Sequence, residues 1–305
     1  MSIPPPISVV IPARNRAHTL PRSLDSVLAQ TCPAAEIIVV DDGSSDSTQE
    51  IVEGYRDRGI IYSRLPRGGG AQAARTHGIG LARHEWIAFQ DSDDMWLPNK
   101  LALQVEALRE RQFNSAVAVH GDCIKRDDST GIELALPVPL TSGTCYKQLL
   151  LHPSVMFPGL LVSRNCIAQA GGLDNNCPSY QEWDTAIRLA RHCEFVHIRE
   201  PLFIWYWHTG ETISKDIGRD LDGFQYVIEK HRDEIMFHHG IRGWRTVCLQ
   251  NISRALLHGL FDSAGSMLKK VSPHSSRALA ATFVRLGFFP RGGGRLLRYA
   301  AMLPL

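Results

Sequence analysis

Three carboxylates stand together at Asp91, Asp93 and Asp94, separated only by Ser92 and preceded by Glu85–Gln90, a run that reads as a short buried strand. Acids gathered at a strand's carboxyl end face the crevice in which open α/β sheets bind ligands. They repel one another unless a cation lies among them. Hard carboxylate oxygens suit Mg²⁺ or Mn²⁺, which keep waters and complete their shells with substrate phosphates. A D-x-D-D run taken alone has a plainer use, as a solvated turn capping a helix that starts near Leu97.

Asp41 and Asp42 close a second apolar run, Ile37–Val40, two βα units earlier. Neighbouring parallel strands bring their loops to one edge, so the two acidic turns are expected to face one crevice. Asp42 there can accept a hydrogen bond from a base or ribose, or simply cap the next helix, a task open equally to Ser44 and Asp46. Gly68–Gly70 before a helix can present backbone amides to a phosphate. The run lacks the spacing of a dinucleotide site or a P-loop. Arg75, one turn further on, can reach a diphosphate as a two-pronged donor; a glycine turn followed by a surface arginine is the alternative. Gln181-Glu182-Trp183-Asp184 opens a further helix. A carboxylate there can act as general base towards a hydroxyl, or complement the helix dipole. His208, after Trp205-Tyr206-Trp207, is a candidate metal or phosphate partner, with a structural histidine as the alternative.

The elements that must hold these residues alternate. Ile7–Ile11, Ile37–Val40, Ile60–Tyr62 and Glu85–Gln90 read as buried strands, with helical spacing between them at Leu20, Leu24, Val27 and Leu28, at Ile51, Val52 and Tyr55, and at Ala73, Ala74 and Ile79. That alternation predicts a parallel sheet with right-handed crossovers. A helix follows through Leu101, Val105 and Leu108; strands are expected at Ala116–Ile124 and Leu160–Ser163 around a loop-rich span from Asp127 to Ser154. Glu182–His192 reads as a helix, Phe195–Ile198 and Leu202–Trp207 as two closing strands, and the chain from Asp222 as all helix.

The 305 residues allow one large α/β domain plus an appendage, and 44% hydrophobic with 21% charged residues is an ordinary globular balance. The net charge of +2 conceals an asymmetry. Residues 241–305 hold ten Lys/Arg against a single acid, Asp262, leaving the first 240 residues at −7. Seven cysteines without C-x-x-C spacing argue for a reducing compartment and against a structural zinc site. The first residues lack the basic region of a signal peptide, and no uncharged apolar run reaches the roughly 18–20 residues that span a bilayer. The expected location is the cytosol, free or on a membrane face. In the tail, Leu249, Ile252, Leu256, Leu260 and Met267 form a stripe, and Leu279–Leu286 and Arg295–Leu303 are basic and amphipathic. Such helices lie on anionic lipid or pack on the domain with their arginines in water. No aromatic-and-basic module suggests nucleic acid.

Taken in order, Ser8–Pro12 with Asn15, Ile37–Ser44, Ala74-Arg75, Asp91–Asp94, Gly171–Asp174, Gln181–Asp184 with Ile187-Arg188, and His208 to Ser214 resemble the family-2 inverting glycosyltransferases of GT-A fold, over roughly residues 7–214. The resemblance implies a Rossmann-like, mostly parallel sheet flanked by helices over residues 1–215. A nucleotide-sugar half would occupy about 1–110, an acceptor half about 111–215, and a helical, basic C-terminal extension 216–305. It implies that Pro12, Ala13, Arg14, Asn15, Asp42, Arg75, Asp91, Ser92 and Asp93 hold a nucleotide-sugar donor, although Arg14 replaces the aromatic of many relatives. Mn²⁺ or Mg²⁺ would be held by Asp93 directly and Asp91 through water, with His208 nearby. Glu182 aligns with the family's catalytic Asp, longer by one methylene, and Asp184 is the alternative base. The implied partners are the donor and a saccharide or lipid-linked saccharide acceptor in cell-surface polysaccharide assembly, with peripheral contact at the cytoplasmic face of the inner membrane. The competing readings are a non-catalytic glycan-binding scaffold, and a sugar nucleotidyltransferase, whose N-terminal glycine-rich loop Pro12–Asn15 does not supply.

Overall fold

The computed structural model describes residues 5–66, 68–207 and 216–271. They fall into two compact units. The first holds the chain up to Asn176 and resumes at Gln181 through the last strand; the second joins Cys177–Tyr180 to the helices that follow.

The first unit begins with β1 (Ile7–Ala13), α1 (Leu20–Leu28), β2 (Glu36–Asp41), α2 (Thr48–Glu53), β3 (Ile60–Arg64), α3 (Ala71–Leu81) and β4 (Trp86–Phe89). Every residue of β1, β2 and β4 is buried, as strands of a parallel sheet covered on both faces require. Their order in space is β3-β2-β1-β4, all parallel. The chain works outward from β1 to β3 and then jumps back to β4, which puts the switch point between β1 and β4. Pro12 widens the gap there. Pairing of β1 with β2 continues to Ala13↔Asp41, whereas pairing with β4 stops at Val10↔Phe89. The amide that would extend the β4 ladder belongs to Pro12 and has no hydrogen. Helix α3 lies close on the sheet: a Cβ on Gly78 would stand 2.5 Å from a methyl of Val10.

The unit continues with β5 (Met95–Trp96), α4 (Lys100–Glu110), β6 (Val117–Asp127), β7 (Glu133–Leu136), α5 (Tyr146–Leu149), β8 (Leu161–Ser163), α6 (Arg164–Gln169), α7 (Gln181–Leu189) and β9 (Glu194–Trp207). This half is mixed. β8 runs antiparallel to both β4 and β6, and β9 runs parallel to β6. β6 and β9 therefore point the same way as β4, and their carboxyl ends reach the edge that carries Asp42 and Asp91. One strand stands where two closing strands are expected. β9 absorbs Arg199–Pro201 through register shifts against Gly121–Cys123, an irregularity that keeps pairing going around a proline with no amide to give. The loop-rich span from Asp127 to Ser154 contains β7 and α5, and the helix expected near Leu97 starts at Lys100 because Met95–Trp96 first pairs with β9.

The second unit contains α8 (Ile217–Lys230), α9 (Arg232–Leu257) and α10 (Phe261–Val271). Asp216 caps α8 by accepting the Arg219 N–H at 3.0 Å, and α9 breaks at Gly240, whose φ of 61° and ψ of −164° are not helical. Leu249, Ile252, Leu256 and Met267 pack with Leu221 and Ala264, so most of that apolar stripe is used inside this unit; Leu260 is exposed. The segments 279–286 and 295–303 lie outside the described residues. Among the described residues no helix is long and apolar enough to cross a membrane.

Candidate active site

The loops after β1 and β2 are laced together. Asn15 adopts a left-handed φ of 52°, which Asn tolerates better than most residues. Its N–H donates to Ser44 Oγ at 2.9 Å and its Oδ1 accepts the Ser45 N–H at 2.8 Å. Of the two acids ending β2, Asp41 is structural: fully buried, it accepts from the Ser44 N–H and the Tyr62 hydroxyl, both at 2.7 Å. Asp42 accepts the Gly69 N–H at 2.6 Å and the Gly70 N–H at 2.8 Å, with Arg14 3.8 Å away. The amides of the glycine run thus meet a carboxylate of the protein. Pro12 and Ala13 are buried at the strand end, and Arg14 is exposed beside Asp42.

The carboxylates after β4 have three different partners. Asp91 Oδ1 lies 2.6 Å from Arg75 Nη2, with the Arg75 side chain only 7% exposed. Arg75 is therefore an internal residue: its guanidinium stacks on Phe157 at 4.2 Å and its Nη1 donates to Gln181 Oε1 at 3.2 Å and Gln72 Oε1 at 3.3 Å. Asp93 Oδ2 lies 3.3 Å from Arg16 Nη2, both side chains partly accessible to solvent. Asp94 is buried and accepts the Tyr206 N–H at 3.0 Å; Ser92 is buried between them. Burial raises the pKa of Asp91 and, further, of Asp94, where the neighbouring charges of Asp93 and Asp91 add to the effect. Arg22 closes the far side, donating to the Asp93 carbonyl at 2.8 Å while lying over the Tyr206 ring at 3.4 Å.

The two acids of α7 part company. Glu182 is partly accessible, burial raises its pKa, and the charges of Arg75 and Asp91 act on it in opposite senses. Asp184 is fully buried and paired with Arg188 Nε at 2.8 Å. Arg188 in turn donates to the Ala170 carbonyl at 2.7 Å and to the Gly172 carbonyl. Two positions on in a helix is about 200° around its axis, and that rotation turns Asp184 into the protein.

Asp42, Arg75, Asp91, Asp93 and Glu182 thus share one edge of the sheet, and His208 lies outside the described residues. Sequence reasoning missed Arg16, Arg22, Phe157 and Tyr206. Their partners are about 70 to 180 positions away, and no spacing announces such contacts. A divalent ion fits what is present. Among the described residues no three His, Cys, Asp or Glu side chains form a ready cage. Mg²⁺ and its like are commonly held by one or two carboxylates plus phosphate and water, and the accessible carboxylate of Asp93 beside Asp91 can supply that share.

A parallel β3-β2-β1-β4 run continued by a mixed half, with acids at the ends of β2 and β4, defines the GT-A fold. Solved structures of that form resemble the chain. Staphylococcus aureus TarS 1–349 in complex with UDP-GlcNAc gives a TM-score of 0.63 at 17% identity, covering 97% of this chain and 88% of that one. The mannosyltransferase PcManGT from Pyrobaculum calidifontis, in complex with GDP-Man and Mn²⁺, gives 0.63 at 16%, covering 98% and 84%. Residues 8–145 match Glycosyl transferase family 2.

Similar curated proteins include the succinoglycan biosynthesis protein ExoO of Rhizobium meliloti (40% identical over 33% of this chain and 29% of that protein) and the putative teichuronic acid biosynthesis glycosyltransferase TuaG of Bacillus subtilis (34%, over 44% and 54%). The UDP-Glc:alpha-D-GlcNAc-diphosphoundecaprenol beta-1,3-glucosyltransferase WfgD of Escherichia coli is 38% identical over 35% and 43%. The matches span about half of these proteins' lengths or less.

Proposed function

We propose that the chain is an inverting, divalent-metal-dependent glycosyltransferase. It moves a sugar from a nucleoside-diphosphate donor to a hydroxyl of a saccharide or lipid-linked saccharide acceptor in cell-surface polysaccharide assembly. Residues 1–215 are the catalytic domain and 216–305 a C-terminal extension whose basic residues give it peripheral contact with the cytoplasmic face of a membrane. The observation that carries this reading is the convergence of Glu182, Arg75, Asp91 and Asp93 at the switch point, with Glu182 both accessible and shifted towards the proton affinity of a working base.

Each residue has a part. The laced turn Pro12–Asn15 and Asp42 seat the nucleoside. Asp91 and Asp93 orient ribose and diphosphate, and would hold the ion, which when bound offsets the charge developing on the departing diphosphate. Arg75 is fixed too firmly by Phe157 and the two glutamines to follow the substrate; its charge favours the ionised forms of Asp91 and Glu182 against the burial that raises both. Glu182 takes the proton of the acceptor hydroxyl as that oxygen bonds to the anomeric carbon. The sugar–phosphate bond breaks on the opposite face, and its electron pair leaves with the nucleoside diphosphate. Asp184 holds the seat of α7 through Arg188 and takes no part in proton transfer. The glycosyltransferases among the similar proteins support the reaction class.

A thermal-shift screen of UDP, GDP, dTDP and CMP, each with Mn²⁺ or EDTA, tests the reading. Ligand at about 100 Kd adds roughly 2.7 kcal/mol to stability. One nucleotide should shift the melting temperature in the presence of Mn²⁺, and the shift should vanish in Asp93→Ala. A folded wild type that responds to none of them refutes the proposal.

A further inference from the structure

Two arginines neutralise the two leading carboxylates after β4, and they are built differently. Arg75 is 7% exposed, meets Asp91 at 2.6 Å, stacks on Phe157 and is forked onto Gln72 and Gln181. Arg16 is 17% exposed and stands 3.3 Å from an Asp93 that is itself 19% exposed. Its Nη1 is shared between the Arg14 and Asn15 carbonyls, at 3.3 Å each. Charge-assisted bonds between arginine and carboxylate normally close to about 2.7–2.9 Å, so the Arg16–Asp93 pair is the longer and more exposed of the two.

Its place matters as much. Arg16 comes from the loop after β1, anchored there by its own N–H donating to Thr48 Oγ1 at 2.9 Å. Asp93 comes from the loop after β4. The pair therefore bridges the two strand ends that Pro12 leaves unpaired, across the mouth of the crevice.

We propose that Arg16 is a placeholder cation. It neutralises Asp93 while the donor site is empty, yields that carboxylate to the divalent ion, and turns its guanidinium onto the diphosphate oxygens of the donor. The inference rests on the glycosyltransferase reading above. Clustered acids carry a like-charge penalty in either state, and the same charge is balanced first by arginine and then by the ion. The planar five-donor fork of Arg16 suits phosphate as well as carboxylate. Arg16 is thus a positioning residue that makes ion and nucleotide bind together rather than separately. By linkage, the factor by which nucleotide tightens the ion equals the factor by which the ion tightens nucleotide.

The test measures free Mn²⁺ by electron paramagnetic resonance, with and without UDP or whichever nucleoside diphosphate the screen selects, on wild type, Arg16→Gln and Arg16→Lys. Arg16→Gln should bind Mn²⁺ alone about two- to fivefold more tightly, the worth of a partly exposed ion pair, and should lose at least that factor from the tightening produced by nucleotide. Arg16→Lys keeps the charge without the fork; it should match wild type for Mn²⁺ alone yet lose part of the nucleotide gain, and it carries the test if Arg16→Gln does not fold. Unchanged or weaker binding of Mn²⁺ alone by Arg16→Gln, or an undiminished nucleotide gain in both variants, overturns the placeholder role while leaving the transferase reading intact. A wild type that binds neither Mn²⁺ nor nucleotide in any combination overturns both.

Discussion

The two halves of the sheet treat charge and surface in opposite ways. In the parallel half, β1 to β4, successive loops are bonded to one another. Asn15 joins Ser44 and Ser45, Asp42 joins the glycine run, and Ser23 donates to the Asp91 carbonyl at 3.0 Å. Asp41, Asp42, Asp91, Asp93 and Asp94 each face a cation or an amide. In the mixed half, the β6–β7 ribbon ends in Ile132 and Leu134, 60% and 59% exposed, beside an Arg126–Glu133 pair of 3.0 Å open to solvent. Elsewhere in this half Lys100 on α4 is buried, with Gln104 Oε1 at 2.7 Å and the Trp96 ring at 3.9 Å for company. A part that handles a constant chemical group can be rigid and pre-bonded, whereas a part that meets a variable partner keeps an open surface.

Changes at three places press on this contrast. The largest effect belongs to α7, which serves the parallel half. Glu182→Gln should cut turnover about 10²–10⁴-fold with nucleotide binding retained. Because burial raises the Glu182 pKa, wild-type activity should fall as pH drops through a value above the usual glutamate range of about 4.3. Asp184→Ala should do the reverse, costing about 3–5 kcal/mol of stability by stranding Arg188. Turnover lost in folded Asp184→Ala, with normal turnover in Glu182→Gln, would exchange the two assignments.

Next comes Lys100 in the mixed half. Its burial lowers its pKa well below the ordinary value, so the unfolded chain binds this proton more readily. Lys100 should therefore contribute a loss of stability as pH falls below about 10, a slope that persists until the folded pKa is reached. Lys100→Met should remove that slope; parallel stability curves for the two proteins between pH 8 and 10 would show that Lys100 stays charged inside. The smallest effect is expected at the ribbon end. Ile132→Thr with Leu134→Thr should change stability by less than about 0.5 kcal/mol per site and leave nucleotide binding alone, while altering the KM for acceptor. An unaltered KM would remove the ribbon from the acceptor side.

The same contrast governs what could be read from the sequence. In the parallel half, apolar runs of strand length announce β1, β2 and β4, and the acids that follow β2 and β4 announce their shared edge, since period and position suffice there. For Arg75 the sequence offers a diphosphate ligand or a surface arginine and not an internal one, because a helical position on α3 says nothing about Phe157, some eighty residues away, which covers it. The glycine run looked like a phosphate cradle because its amides are visible in sequence and their acceptor, Asp42, is not. In the mixed half the direction of β8 and the continuity of β9 through Pro201 depend on pairing between distant segments, and β7 is an exposed strand whose four residues alternate too briefly to register.

The four residues Cys177–Tyr180 have a consequence for the order in which the molecule is made. They interrupt the first unit and pack with the second, where Arg219 Nε donates to the Pro178 carbonyl at 2.7 Å and Arg254 bonds the Tyr180 hydroxyl. Tyr180 is covalently next to α7, with a strained left-handed φ of 55°. On a ribosome the sheet and α7 emerge before Arg219 and Arg254 exist. This four-residue turn therefore gains its partners late, from Arg219 and Arg254, 41 and 74 positions after Pro178 and Tyr180, and a nascent chain halted at the end of β9 holds the sheet without them.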